Sequence, residues 1–515
     1  MRTAGRSSGD RLLSGALAVM VAFGAGLGAR SLAHLVWAGA PVVAALTAIL
    51  TGLAGLLVRS AWGSRPPHRL RTRASLGWSA RPFLGWTASG SAFLAGTPED
   101  SIGIVGPPRV GKTAGLLVAQ AQLWGGPMVS TSTKPDVLRA TAARRLALAA
   151  ASGGSIGAYA PTTTDPVEGL RPLRWSPLQG CDDPTTCQLR VLAMVDAGGG
   201  GRRVEDGDHW RAGAASVLRG YFHAASLSGR GMPAVLDWLA RQEVAEPALV
   251  LRRSRSVAGE QWAMELEGLL SIGDRERGSF YSTARNSLAA LANPVVLASC
   301  ASSDLDLDEF LRSRSSLYIV SPTAHQAAVA PLVAGLIEAI VERAYRLSGR
   351  GELPAPLLLS LDEVANIAPL PSLGSIISQG ASQGVVVSWA AQSLAQLRAR
   401  YGEEVAQACW SASTARIVFG GLADARDLED ISTLAGEREV RQVSTTSGEL
   451  GSGRTVGTAW RPRLPASQLR ALRPGWAHLV YHSHPPVVIR VPVASQVRPF
   501  NRCPAWTGGP HRRYW

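Results

Sequence analysis

The run Gly106-Pro107-Pro108-Arg109-Val110-Gly111-Lys112-Thr113-Ala114 constrains this chain more than any other segment. An apolar stretch, residues 101–105, precedes it, and a helical pattern over 114–123 follows. Glycines in such a loop let backbone N–H groups curl around a phosphate, and the helix that follows adds its positive end. Lys112 then reaches the β- and γ-phosphates of ATP, and Thr113 offers its hydroxyl to Mg²⁺. Strand, loop and helix in that order commit the chain to an α/β architecture. A plain glycine turn before a helix is the bland alternative, and lysine usage weighs against it. Only two lysines, Lys112 and Lys134, stand among 52 basic residues. Where arginine is so favoured, a lysine marks a place that needs a compact ammonium, not a forked guanidinium.

A phosphate loop of this kind needs an acid at the end of a neighbouring strand to hold Mg²⁺, and a second to activate water. The apolar run 357–361 followed by Asp362-Glu363 supplies both. Two carboxylates at the end of a buried strand are costly unless a cation is bound there. The next expected strand, 385–389, leads to Gln392, a neutral amide placed to hydrogen-bond attacking water or the γ-phosphate; the simpler role is a polar cap for the helix over 394–400. Residues 130–136, Ser-Thr-Ser-Thr-Lys-Pro-Asp, follow another strand and bring Lys134 to the same sheet edge, where ligands of such sheets bind.

The remaining chain reads in blocks. Residues 12–29 and 35–58 carry no acidic or basic side chain and are long enough to span a bilayer. Arginines before the first run and after the second place both ends in the cytoplasm, so residues 1–75 read as a membrane hairpin of the inner membrane. From about residue 101, short β-branched runs alternate with helical patterns, the signature of a parallel α/β sheet. Its strands are expected at 101–105, 128–131, 316–320, 357–361, 385–389 and 415–419. Two parts of a nucleotide-binding domain, 76–190 and 301–500, thus flank an all-α insertion at 191–300. The Ser/Thr/Gly-rich segment 444–458 reads as a mobile loop and 501–515 as a basic tail. The formal charge of +14 favours polyanionic partners such as nucleic acid or an anionic membrane face. Five scattered cysteines with no CxxC pair give neither a zinc site nor a disulfide framework, although Cys181 and Cys187 are close enough in sequence to pair if oxidised.

Three stretches are more specific. Residues 361–373 (Leu-Asp-Glu-Val-Ala-Asn-Ile-Ala-Pro-Leu-Pro-Ser-Leu), 379–384 (Gln-Gly-Ala-Ser-Gln-Gly) and 389–397 (Trp-Ala-Ala-Gln-Ser-Leu-Ala-Gln-Leu) closely resemble the TraG-type coupling ATPases of conjugation and type IV secretion. The apolar hairpin, the phosphate loop, Ser132–Asp136, Trp175-Ser176-Pro177-Leu178, Asp208-His209-Trp210, 285–294 and 464–472 extend the resemblance to about residue 490. It implies a RecA-like P-loop sheet domain with an inserted all-α domain, two transmembrane helices, and a homo-hexameric ring around a channel. By this resemblance residues 106–114 bind nucleotide and Thr113 with Asp362 holds Mg²⁺. Glu363 is the general base, with Lys112 and with Gln392 as γ-phosphate sensor. The implied cargo is single-stranded DNA with a relaxase-type protein, handed to secretion channel components. One departure matters: many relatives carry an arginine after the glycine matching Gly380, where a neighbouring subunit's arginine finger originates, and this chain has Ala381. Two rival readings remain, an FtsK-type double-stranded DNA translocase and a non-hydrolysing receptor that recruits secretion substrates.

Overall fold

The computed structural model describes residues 70–72, 77–198, 207–448 and 451–507. The two segments expected to cross the membrane, and the end of the basic tail, lie outside the described residues. The described strands are β1 (Arg71–Thr72), β2 (Phe83–Thr87), β3 (Phe93–Ala95), β4 (Ile102–Val105), β5 (Met128–Ser132), β6 (Ile156–Tyr159), β7 (Ser316–Val320), β8 (Leu357–Leu361), β9 (Val385–Ala391), β10 (Ala415–Phe419), β11 (Glu437–Gly448), β12 (Gly451–Pro462), β13 (Trp476–Tyr481) and β14 (Val487–Arg490). Twelve of them form one sheet in the order β1-β3-β2-β14-β13-β10-β4-β9-β8-β5-β7-β6.

From β10 to β6 all neighbours run parallel. Strands covered on both faces read as unbroken apolar runs, and Leu-Leu-Leu-Ser-Leu of β8 is one. Successive side chains serve opposite cores: Val385, Val387 and Trp389 of β9 pack on one face, Val386 and Ala390 on the other. From β13 to β1 the pairing is antiparallel. The sheet is therefore mixed, and the wholly parallel sheet expected from sequence is only its larger part.

The described elements between β6 and β7 that lie between Pro184–Ala197 and Pro294–Ser299 are all helical. Asp183 caps the first, accepting the Thr186 N–H at 2.9 Å ahead of Pro184. Close crossings inside this block depend on small residues: a Cβ added at Gly213 would lie 2.2 Å from the Phe280 ring. The helix Gln326–Gly349 then packs along Pro184–Ala197. With the turn before it, Thr323–Gly349 is long and apolar enough to cross a membrane, the one such helix among the described residues, yet most of it is buried within the protein.

Of the segment expected as a mobile loop, 444–458, the described residues belong instead to the ribbon of β11 and β12, paired antiparallel along the whole length of both strands. Small polar residues gave that stretch no periodicity to read, and cross-strand backbone pairing decides its conformation.

Candidate nucleotide site

The phosphate loop is held rigidly from below. On the core face, Trp389 of β9 covers Gly103 of β4, where a Cβ would lie 2.7 Å from the indole, and its Nε1 donates to Ser413 Oγ at 3.0 Å. At the amino end of β4, Asp100 is 1% exposed and accepts from Thr97 N–H (2.6 Å), Thr414 Oγ1 (2.8 Å), Tyr481 OH (2.9 Å) and His482 Nε2 (2.9 Å). Burial alone would raise its pKa, but these donors together hold it below the usual carboxylate value. That cluster fastens the starts of β4 and β10 to the end of β13.

Beyond Val105 the chain turns sharply. Arg109 has φ 66° and Gly111 φ 110°, left-handed values of which only the second suits its residue without cost. Helix then starts at Lys112, first as π-helix over Lys112–Leu117 and then as α-helix over Val118–Leu123. Lys112 is 6% exposed, and its ammonium donates to the Pro107 carbonyl at 2.9 Å and to the Gly106 carbonyl. Burial lowers its pKa, against the raising effect of Glu363 and Asp362.

Thr113 Oγ1 donates to Asp362 Oδ2 at 2.7 Å. Asp362, 6% exposed at the end of β8, is pushed above the ordinary carboxylate value by burial and by Glu363, with Thr113 and Lys112 opposing. Thr131 of β5 fixes the turn by donating to the Asp362 carbonyl at 3.1 Å. Glu363 follows at φ 50°, a left-handed conformation that costs a non-glycine residue on the order of 1–3 kcal/mol. Gln392 Nε2 donates to both carboxylate oxygens of Glu363, at 3.0 and 3.2 Å. One continuous chain of contacts thus joins Thr113, Asp362, Glu363 and Gln392.

The order of strands corrects one expectation. The acid-bearing strand β8 is not the neighbour of β4, because β9 lies between them. Gln392 therefore sits between the phosphate loop and the acids, and this arrangement brings its amide onto Glu363. Pro108 and Arg109 are exposed on the loop. Lys134 is exposed beyond β5. Ala381 lies in the turn Gly380–Gln383 that leads into β9, at the opposite end of that strand from Gln392. Three arginines near the same helices are engaged within the chain. Arg416 donates to the carbonyls of Trp410 and Ser411 at 2.8 and 2.6 Å, Arg400 to that of Ala197 at 2.6 Å, and Arg398 to Asp427 at 2.6 Å.

Thr131 and Asp427 were not legible as site residues. Asp427 is fully buried and accepts the Leu394 N–H at 2.8 Å, securing the helix that follows Gln392 from the neighbouring helix Ala425–Leu434. In sequence it reads only as a polar residue in a first helical turn.

The residues present fit a Mg²⁺-nucleotide. A hydroxyl and a carboxylate 2.7 Å apart are hard oxygen donors of the sort Mg²⁺ takes, and that ion completes its shell with water and phosphate oxygens. Among the described residues no group of three or more His, Cys, Asp or Glu converges to form an all-protein cage.

A family model described as type IV secretory system conjugative DNA transfer matches residues 63–490. The chain belongs to that family. A probable conjugal transfer protein TraG from Sinorhizobium fredii is 25% identical over 407 residues, covering 75% of this chain and 61% of its own. The chain thus spans about three-fifths of the length of that family relative. Among solved structures, the bacterial conjugative coupling protein TrwB lacking its first 70 residues shares the fold with TM-score 0.59 at 20% identity, covering 82% of this chain and 91% of its own. TrwB in complex with ADP and Mg²⁺ gives TM-score 0.59 at 19% identity, covering 84% and 94%. The large mixed sheet with its flanking helices is therefore the coupling-protein fold of this family.

Proposed function

We propose that this family member is an ATPase whose turnover drives DNA, with a bound relaxase-type protein, through a type IV secretion channel. The observation that carries the reading is the contact chain from Thr113 through Asp362 and Glu363 to Gln392. TrwB, of the same fold, was solved with ADP and Mg²⁺, which supports ATP and Mg²⁺ as the ligands here. Lys112 leaves its loop carbonyls to meet the β- and γ-phosphates. Thr113 and Asp362 hold the metal, which when bound neutralises charge on the transferring phosphoryl group. Glu363 accepts the proton of attacking water. Gln392, released from Glu363 or shared with it, reports the γ-phosphate to the helix Leu394–Tyr401.

The same reading places residues 1–75 in the inner membrane as a two-helix anchor, with 76–190 and 301–500 as a cytoplasmic nucleotide-binding domain, 191–300 as its all-α insertion and a homo-hexamer as the working unit. A second reading, the non-hydrolysing receptor, draws on Ala381 and on the engagement of Arg398, Arg400 and Arg416 within their own chain. ATP turnover by the full-length protein, assembled in detergent at low salt with and without single-stranded DNA, separates the two. Stimulation by DNA that fades as salt rises is the expected outcome. Equal, near-zero turnover in both conditions favours the receptor.

A further inference from the structure

One excursion of the chain is unused by the nucleotide chemistry. After β10 the chain forms the helix Ala425–Leu434, runs out along β11 and back along β12, makes the short helix Ala466–Arg470 and rejoins the sheet at β13. Both roots of this excursion rest on the phosphate loop. At the first, Gly421 lies so near the loop that an added Cβ would be 3.2 Å from Pro107 Cγ. At the second, Gly475 N–H donates to the Val110 carbonyl at 3.4 Å. The first root is also tied to Gln392: Asp427 accepts from Leu394 N–H, two residues beyond that amide, and from Arg398 on the same helix. Any displacement of the loop or of Gln392 therefore acts on the base of the ribbon.

Among the described strands the ribbon pairs with no other, and at its base most of the described side chains, Arg438, Arg441, Trp460 and Arg461 among them, are exposed. Directly opposed residues share a face, and Arg438 stands opposite Arg461. Both are exposed, and no carboxylate among the described side chains forms an ion pair with either. Like charges so placed repel each other. A bound polyanion would remove that cost. Next to Arg461, Trp460 turns to the other face with 68% of its surface exposed, across from Glu439 and two positions from Arg441 on the paired strand. The guanidinium pair on one face and the open indole one residue away on the other suit a nucleic-acid strand that wraps the edge of this narrow ribbon, with phosphates at the cations and a base on the ring.

We propose that the β11–β12 ribbon is a nucleic-acid-binding arm whose position is set by the nucleotide site through its two roots and Asp427. This rests on the ATPase reading above and names the part of the chain that would transmit turnover to DNA. The test uses the full-length protein in detergent and a fluorescent single-stranded oligonucleotide, titrated over a salt series with and without a non-hydrolysable ATP analogue. The double variant Arg438→Ser/Arg461→Ser changes only exposed side chains. It is expected to bind about tenfold more weakly, with a salt slope smaller by about 1.4, the share of two phosphate contacts on a single strand. Trp460→Ala is expected to lose about tenfold with its slope unchanged, the scale of one stacked base. The analogue should shift the wild-type affinity and leave that of the double variant nearly fixed. Unchanged affinity and slope in the double variant overturn the arm. So does normal DNA binding combined with failure of ring assembly in sedimentation, which makes the ribbon a contact between copies of this chain. A wild-type affinity indifferent to the analogue overturns the coupling. Wild-type protein that binds ATP but no DNA removes the function reading itself, before any ribbon variant is made.

Discussion

Two buried aspartates sit at opposite ends of the parallel strands, and they differ in every respect but burial. Asp100, at the amino end of β4, collects donors from Thr97, Thr414, Tyr481 and His482, and its pKa falls. Asp362, at the carboxyl end of β8, has one side-chain donor, Thr113, and a second carboxylate beside it, and its pKa rises. Burial penalises both charges equally in kind, so the number of donors decides the sign. The first acid is satisfied by protein and fastens three strands together. The second is left short of positive charge, at the end of the sheet where a cation would supply it.

This contrast predicts different failures. Asp362→Asn should abolish Mg²⁺-dependent turnover, slowing it by at least about a hundredfold, while leaving thermal stability equal to wild type or higher, because an ill-compensated buried charge is removed. A clear fall in Tm measured by calorimetry without nucleotide would show Asp362 to be a structural acid after all. Asp100→Asn should do the reverse, costing about 3 kcal/mol by stripping a charged acceptor from several donors, with ATP affinity of the folded protein kept. If chemical denaturation shows no loss, the cluster does not fasten the strands.

The two acids should also separate with pH. A folded-state pKa lowered below the ordinary carboxylate value means that Asp100 stabilises the protein above that value and that this is lost as pH falls through the folded pKa. For Asp362 the sign is opposite: relative stability is greatest below the ordinary value of 3.8 and is lost as pH rises through the raised folded pKa. Followed from neutral pH down past the ordinary value of 3.8, the stability deficit of Asp100→Asn relative to wild type should therefore begin to shrink only below that value, while Asp362→Asn should lose any gain already above it. Parallel curves would erase the distinction. The smallest effect is expected at Thr131, whose hydroxyl holds the Asp362 carbonyl. Thr131→Val should cost about 1 kcal/mol of stability and slow turnover a few-fold, and an unchanged rate would show that the turn needs no such support.

The same physics explains what could be seen from sequence. β5, β7, β8, β9 and β10 start where expected: β8 and β9, covered on both faces, read as nearly unbroken apolar runs, and the others as short runs with β-branched or aromatic residues. As candidates, Lys112 and Thr113 stood out through the glycine loop that precedes them, and Asp362, Glu363 and Gln392 because each directly follows one of those runs. β6 escaped because Ile-Gly-Ala-Tyr is short and half small residues. The antiparallel strands escaped for other reasons: Gly85 interrupts β2, β3 and β14 are only 3 and 4 residues long, and β14 joins β2 from far away in sequence. The position of β9 between β4 and β8 is a fact of topology that no local pattern encodes, and Asp427 and Thr131 matter only through what folding brings beside them.

The central claim is that Glu363 activates water in a nucleotide site built by Lys112, Thr113 and Asp362. Equilibrium binding of ATP and its hydrolysis rate, measured side by side on Glu363→Gln and wild-type protein, test it most directly. The account predicts ATP bound by the variant as by wild type, with hydrolysis slower by at least about a hundredfold, the scale of a lost general base. Turnover at the wild-type rate, with binding intact, would contradict it.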